Sequence, residues 1–321
     1  YTDSLGRTYS GYWRGDSLRR GRLRAKEGTY EGLFNRRMEE HGEGEFTAND
    51  GGYYVGKWKG GRRDGFGFSV APHEVVKWAK GRFRGEQMLY HSERIYGIDI
   101  SKYQHVHKRR VYGIDWRNLR ITRLGHTADR NALGAVDYPV SFVYIKSTEG
   151  LTVFNPYYTQ DVRAARRYGF PVGAYHFFST RPAMSQADYF LKKSRLRKGD
   201  LPPMLDVELS DRRIAAMGGR DVLFREMLVW LKEVGRRSGT TPIIYVSQDF
   251  VNRYMPFAPE ELKAYPVWVA RYGEYKPYVH LLYWQLSPAG RVRGIQGDVD
   301  IDVFNGSEEQ FKRYLRAQTV K

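Results

Sequence analysis

From residue 95 onward the chain alternates short apolar runs with polar or amphipathic stretches. Eight runs read as strands: 95–101 (IYGIDIS), 142–148 (FVYIKST), 171–178 (PVGAYHFF), 202–209 (PPMLDVEL), 242–247 (PIIYVS), 267–272 (VWVARY), 281–287 (LLYWQLS) and 299–304 (VDIDVF). Continuous apolar runs suit parallel strands covered on both sides. Amphipathic segments such as 156–169 and 221–238 separate the early runs, while the last three follow too closely for full helices between them. Residues 91–321 are therefore predicted to form an α/β domain, an irregular TIM-like (β/α) barrel with shortened final helices. In such a barrel, chemistry gathers at the carboxyl ends of the strands.

Residues 1–90 follow another rule. Tyr9-x-Gly11-x-Trp13, Tyr30-x-Gly32-x-Phe34 and Tyr54-x-Gly56-x-Trp58 recur at offsets of 21 and 24 residues, each followed by glycines: Gly21, then Gly42 and Gly44, then Gly65 and Gly67. A partial fourth copy keeps Trp78, Gly81 and Gly85. So short a repeat predicts a small all-β domain of stacked hairpins, with glycines supplying positive φ at turns and aromatics covering a sheet face. The pattern resembles the MORN repeat over about 80 residues, with Leu23 standing where the second glycine of the first copy is expected. The resemblance implies membrane or protein contacts for the array; a rigid β spacer is the alternative.

Composition narrows the chemistry. The 321 residues contain no cysteine, which excludes disulfides, thiolate zinc sites and cysteine nucleophiles. No apolar run reaches the ~18 residues of a membrane helix. The chain opens on Tyr1 without a methionine; an export signal is expected to precede it, placing the protein outside the cell or in its envelope. The net charge is +17, with 17 Lys and Arg against 12 Asp and Glu in residues 1–90 and 36 against 24 in the rest. No helix-turn-helix, RNA-recognition or zinc-finger pattern accompanies it, so nucleic acid is not the expected partner. An anionic bacterial wall would attract such a surface, and solvated charge without a partner explains it too.

The carboxylates carry the candidate chemistry. Asp206 and Glu208 sit two apart on the fourth run, so both point to one strand face, roughly 6.5–7 Å apart along it. Acids that close repel one another, and one tends to stay protonated near neutral pH. Asp99 on the first run and Asp300 on the eighth are expected at the same end of the barrel, and Glu149 after the second run could join the rim. Paired carboxylates without a metal-ligand cluster point to glycoside hydrolysis, with no cofactor. His105 and His107 form an HxH in a basic loop without a carboxylate at metal spacing; His176 reads as core or cavity. No Gly-x-Ser-x-Gly elbow supports a serine triad.

Residues 95–306 resemble the family 25 glycoside hydrolases, muramidase lysozymes that cut peptidoglycan between N-acetylmuramic acid and N-acetylglucosamine. The matching blocks are Gly97-Ile-Asp99-Ile-Ser101 with Gln104, Phe142 through Lys146 to Glu149-Gly150, Gly173-Ala-Tyr175-His176-Phe177, Leu205-Asp206-Val-Glu208, Trp268 to Tyr272, Trp284-Gln285 and Val299-Asp300-Ile-Asp302-Val-Phe304. The resemblance implies Glu208 as general acid, with Asp99, Asp206 and Asp300 around the scissile sugar. It also implies Tyr175, Tyr245, Trp268, Tyr272, Trp284 and Lys146 as substrate-binding residues, although each aromatic could equally be core. Asp302 stands where the family usually has Asn, adding a charge at the rim. Asp206 would stabilise an oxazolinium formed by the substrate's own acetamido group, in preference to a covalent aspartyl-sugar. A non-catalytic wall-binding protein and a chitinase-like glycosidase are the competing readings.

Overall fold

The computed structural model describes the chain apart from residues 50–52, 80–81, 92–93, 108, 128–129, 133–134, 271–279 and 306–307. It divides into two compact units: Tyr1–Arg94 with Gly134–Asp137, and Ile95–Leu133 with Tyr138–Lys321. The dividing line thus falls at Arg94, and a short later segment, 134–137, returns to the first unit.

In the second unit eight strands close on themselves in chain order. β1 (Tyr96–Ile100), β2 (Phe142–Glu149), β3 (Val172–Phe177), β4 (Met204–Val207), β5 (Ile243–Ser247), β6 (Pro266–Ala270) and β7 (His280–Arg293) run parallel, each bonded to the next. β8 (Val299–Phe304) pairs antiparallel with both β7 and β1 and closes the barrel. A parallel return needs a crossover of a dozen or more residues. Only residues 294–298 join β7 to β8, turning on Gly294 (φ 92°) and Gly297 (φ 91°), so β8 can only double back.

Helices α1 (Tyr158–Arg167), α2 (Ala183–Ser194), α3 (Asp211–Ala216) and α4 (Arg220–Ser238) cover the early crossovers. α4 buries Leu223, Phe224, Met227, Trp230, Leu231 and Val234, one helical stripe, and stops at Gly239 in the left-handed region (φ 68°). Between β5 and β6 the helices shrink to α5 (Gln248–Arg253) and α6 (Glu260–Lys263). The barrel interior is packed with aromatics: Phe142, Tyr144, Trp268, Tyr283 and Phe304, joined by Phe311 and Tyr314 of α7 (Glu308–Ala317). β3 carries glycine at 173 because a Cβ there would run into the Tyr144 ring. Burying each large ring contributes about 2–3 kcal/mol, so the inside of the barrel is core, and only its mouth is free for chemistry.

The first unit is one antiparallel sheet of consecutive hairpins, from Thr8–Arg14 through Arg82–His91, with Ala135–Val136 added parallel at its end. Tyr9, Leu18, Leu23, Tyr30, Phe34, Tyr54 and Trp58 form its core. The repeat shows in its bonds: Tyr30 Oη donates to the Leu33 carbonyl (2.8 Å) and Tyr54 Oη to that of Lys57 (3.1 Å). Most motif glycines are not at turns, contrary to the expectation from sequence. Gly11 faces Gly21, Gly21 faces Gly32, Gly32 faces Gly44, and Gly44 faces Gly56 across the strands. A Cβ at Gly44 would collide with the Tyr30 ring, so the glycine row is the bed on which the tyrosines lie. Other glycines, Gly15 (φ 60°) and Gly60 (φ 58°), make the turns.

Candidate active site

Strand order and alternation bring the acids to the barrel mouth. Asp99 is the fourth residue of β1, Asp206 the third of β4, and Glu208 follows that strand directly. Asp300 was expected at a carboxyl end, but it lies at the start of β8. Because β8 is antiparallel, that start sits at the same end as the carboxyl ends of the others, and Asp300 pairs in register with Asp99. Asp206 is flanked in register by Phe177 of β3 and Tyr245 of β5. Lys146 of β2 is in register with Tyr175 of β3.

Water is largely excluded from Asp99, 8% exposed, and Asp206, 7% exposed, whereas Asp300 is half-buried and Glu208 is open to solvent at the mouth. Burial pushes the Asp99 carboxyl up to about 7, with the nearby Glu208 adding to it, while a hydrogen bond from Tyr175 favours its ionised form. Burial and the charges of Asp99 and Glu208 push Asp300 up to about 9. Asp206 is held well above the usual range by burial, then by Glu208 and Asp99. Burial also raises Glu208, against the pull of the Lys146 charge and a hydrogen bond from Tyr245. Each acid opposes ionisation of the others, so the cluster keeps protons at neutral pH. That is what a proton donor in a hydrolytic site requires.

Second contacts aim these groups. The Tyr245 hydroxyl lies 3.0 Å from Gln285 Oε1, so its single proton is shared between that oxygen and Glu208. Gln285 is buried and sits on β7 opposite Asp302. Its role escaped the sequence reading; the signal was its alternation with Trp284, which puts it on the interior face. Asp206 Oδ1 is buried without a hydrogen-bond partner among the described residues. Lys146 Nζ donates to Glu149 Oε2 at 2.8 Å and lies 4.4 Å from the Phe177 ring centroid.

Several expected residues lie elsewhere. Trp268 is 0% exposed and packs on Tyr144 and Tyr283, with centroids 5.0 and 4.7 Å away, so it is core beneath the site. Trp284 is 1% exposed on the strand face opposite Tyr283 and offers no ring to a sugar. Tyr272 lies outside the described residues. Asp302 is not at the rim: it is 0% exposed, one interior position below Asp300, and burial with the Asp99 and Asp300 charges holds it well above the usual range. It therefore adds no charge to the mouth. His176 is core, stacked on Trp230 and bonded to Thr148 Oγ1 and Gln186 Oε1; burial lowers it to about 4. His105 has the carboxylate partner that its sequence surroundings lacked: its Nε2 meets Asp161 Oδ2 at 2.8 Å, from α1. Among the described residues no group of three or more His, Asp or Glu is arranged to hold a metal.

Comparison with known proteins finds relatives of the barrel unit. The profile of the glycosyl hydrolases family 25 matches residues 98–295. The uncharacterized protein YegX of Escherichia coli O6:H1 is 33% identical over 228 residues, covering 70% of this chain and 74% of that one. Lysozyme M1 of Streptomyces globisporus is 29% identical over 229 residues, covering 66% and 68%. The crystal structure of a bacterial lysozyme from Streptomyces coelicolor superposes with a TM-score of 0.55 at 26% identity, over 68% of this chain and 94% of the other.

Proposed function

The chain belongs to the glycosyl hydrolases of family 25, and from that premise we propose that it is a muramidase cleaving the β-1,4 bond between N-acetylmuramic acid and N-acetylglucosamine, with Glu208 as general acid. The observation that carries the reading is the meeting of Asp99, Asp206, Glu208 and Asp300, from three separate stretches of sequence, at one barrel mouth, with Asp99 and Asp206 buried and Glu208 open to solvent.

Glu208 is the acid best placed to donate, since it follows β4 at the open end and burial favours its protonated form. It would protonate the glycosidic oxygen as that bond breaks. The substrate's 2-acetamido oxygen attacks the anomeric carbon from the other face, giving an oxazolinium and retained configuration after water opens it. Asp206 fits the task of orienting that acetamide, because its Oδ1 is buried and lacks a partner that the substrate N–H would supply. Glu208, now a carboxylate, takes the proton from the attacking water and is restored. Asp99 and Asp300 hold protons and polar contacts beside it, and Tyr175 and Tyr245 fix the orientation of Asp99 and Glu208. Peptidoglycan lies outside the cytoplasm, so the proposal places the enzyme in the envelope or the exterior.

Glu208→Gln removes the donated proton and little else. Release of dye from labelled peptidoglycan should fall about 10²–10⁴-fold, with the circular dichroism spectrum unchanged; undiminished lysis rejects Glu208 as the acid. Reduced and analysed product ends should carry muramic acid at the reducing terminus. Glucosamine there would mean a different glycosidase specificity.

A further inference from the structure

One polar pair at the mouth has no part in the bond-breaking steps. Lys146 and Glu149 are three residues apart on β2, a spacing that in a regular strand puts side chains on opposite faces. Here they meet, because β2 is bulged: Lys146 pairs with Tyr175 and Thr148 with His176, so two β2 residues advance against one on β3. Asn155 holds the bulge, its Nδ2 donating to the Lys146 carbonyl (2.8 Å) and its backbone N–H to that of Ser147 (2.9 Å). Ser194 Oγ donates to Ser147 Oγ from behind (2.8 Å). The Lys146 ammonium is thereby fixed between the Glu149 carboxylate and the Phe177 ring.

We propose that Glu149 is a positioning residue: it holds Lys146 at the rim, and the pair sets how much positive field reaches Glu208. This rests on the muramidase reading of the mouth. The described titratable groups around Glu208 are Asp99 on β1, Lys146 and Glu149 on β2, Tyr175 on β3, Asp206 on β4, Tyr245 on β5, and Asp300 with Asp302 on β8. Lys146 is the one cation among them, and its charge already works against protonation of Glu208. Neutralising Glu149 releases the ammonium from the rim, so that its charge acts more strongly on Glu208. Neutralising Lys146 removes it.

The two substitutions must therefore act in opposite directions. The alkaline limb of kcat/KM on soluble peptidoglycan fragments reports loss of the acid's proton. Glu149→Gln should move that limb down by about 0.5–1 pH unit, less than the roughly 1–3 units of a charge in direct contact. Lys146→Gln should move it up, and the double variant should match Lys146→Gln alone. A purely structural bulge would give both single variants the same loss with no opposite shifts. Glu149 is 41% exposed on its side chain, so Glu149→Gln should keep the thermal midpoint. Titrating the Glu208 carboxyl in the full chain by 13C NMR, with Glu208→Gln to assign the signal, reads the same shifts without turnover. An inactive wild-type enzyme would defeat the muramidase reading, and the NMR titration would still decide this one. Same-direction shifts or an unmoved Glu208 in Glu149→Gln would overturn it.

Discussion

Asp302 offers the sharpest test of how this barrel stores charge. Its carboxyl is 0% exposed, and neither oxygen has a well-formed hydrogen bond among the described residues. Burial, then the Asp99 and Asp300 charges, hold it protonated well above the ordinary value of 3.8; the Trp268 indole and the Asp99 backbone N–H pull the other way without offsetting this. The folded state thus keeps a proton that the unfolded chain releases above pH 3.8, and stability must fall as pH rises. The slope is about 1.4 kcal/mol per pH unit, which amounts to about 4 kcal/mol at pH 7 for a carboxyl still protonated there. Asp302→Asn has nearly the same shape and no proton to keep. Its amide adds donors to the same buried place, a cost that does not vary with pH, so the slope is the diagnostic quantity. Urea unfolding followed by tryptophan fluorescence at pH 5, 6, 7 and 8 should show the variant gaining on the wild type as pH rises, by about 1.4 kcal/mol per unit for as long as the carboxyl stays protonated. A difference that stays flat across this range refutes a buried, protonated Asp302.

Two further outcomes follow from packing and pairing. Gly44→Ala should destabilise the hairpin unit by about 1–3 kcal/mol, because the added methyl meets the Tyr30 ring; calorimetry should show one transition lowered, and an unchanged profile would mean that the glycine row is not close-packed. His105→Phe keeps the ring stacked on Tyr157 (4.1 Å) but leaves Asp161 buried without its partner, costing about 3–5 kcal/mol. Burial lowers the His105 proton affinity, but Asp161 and the Tyr112 carbonyl together raise it above 6.5, while burial raises Asp161 as well despite the pull of His105. The ion-pair share of that cost should then disappear as pH rises through the raised His105 value, and on the acid side as Asp161 takes up its proton; denaturation at pH 6.5 and 9 would read the first loss.

Sequence by itself determined the eight strands, their order around the barrel and the repeat register of the first ninety residues. Apolar runs and aromatic–glycine spacing are local consequences of which faces must be covered, and they survive without coordinates. It also singled out Asp99, Asp206, Glu208 and Asp300, since acids inside apolar runs are costly enough to need a reason. Tertiary structure alone decided the direction of β8. A five-residue turn permits only an antiparallel return, and that return is what moves Asp300 from the wrong end of its strand to the mouth. Strand parity in three dimensions sent Trp268 and Trp284 into packing, took Asp302 below the surface and brought in Gln285. The Lys146–Glu149 contact depends on a bulge, and the His105–Asp161 pair on a helix 56 residues away. Such contacts join residues whose spacing carries no periodic signal, so only the closed fold can supply them.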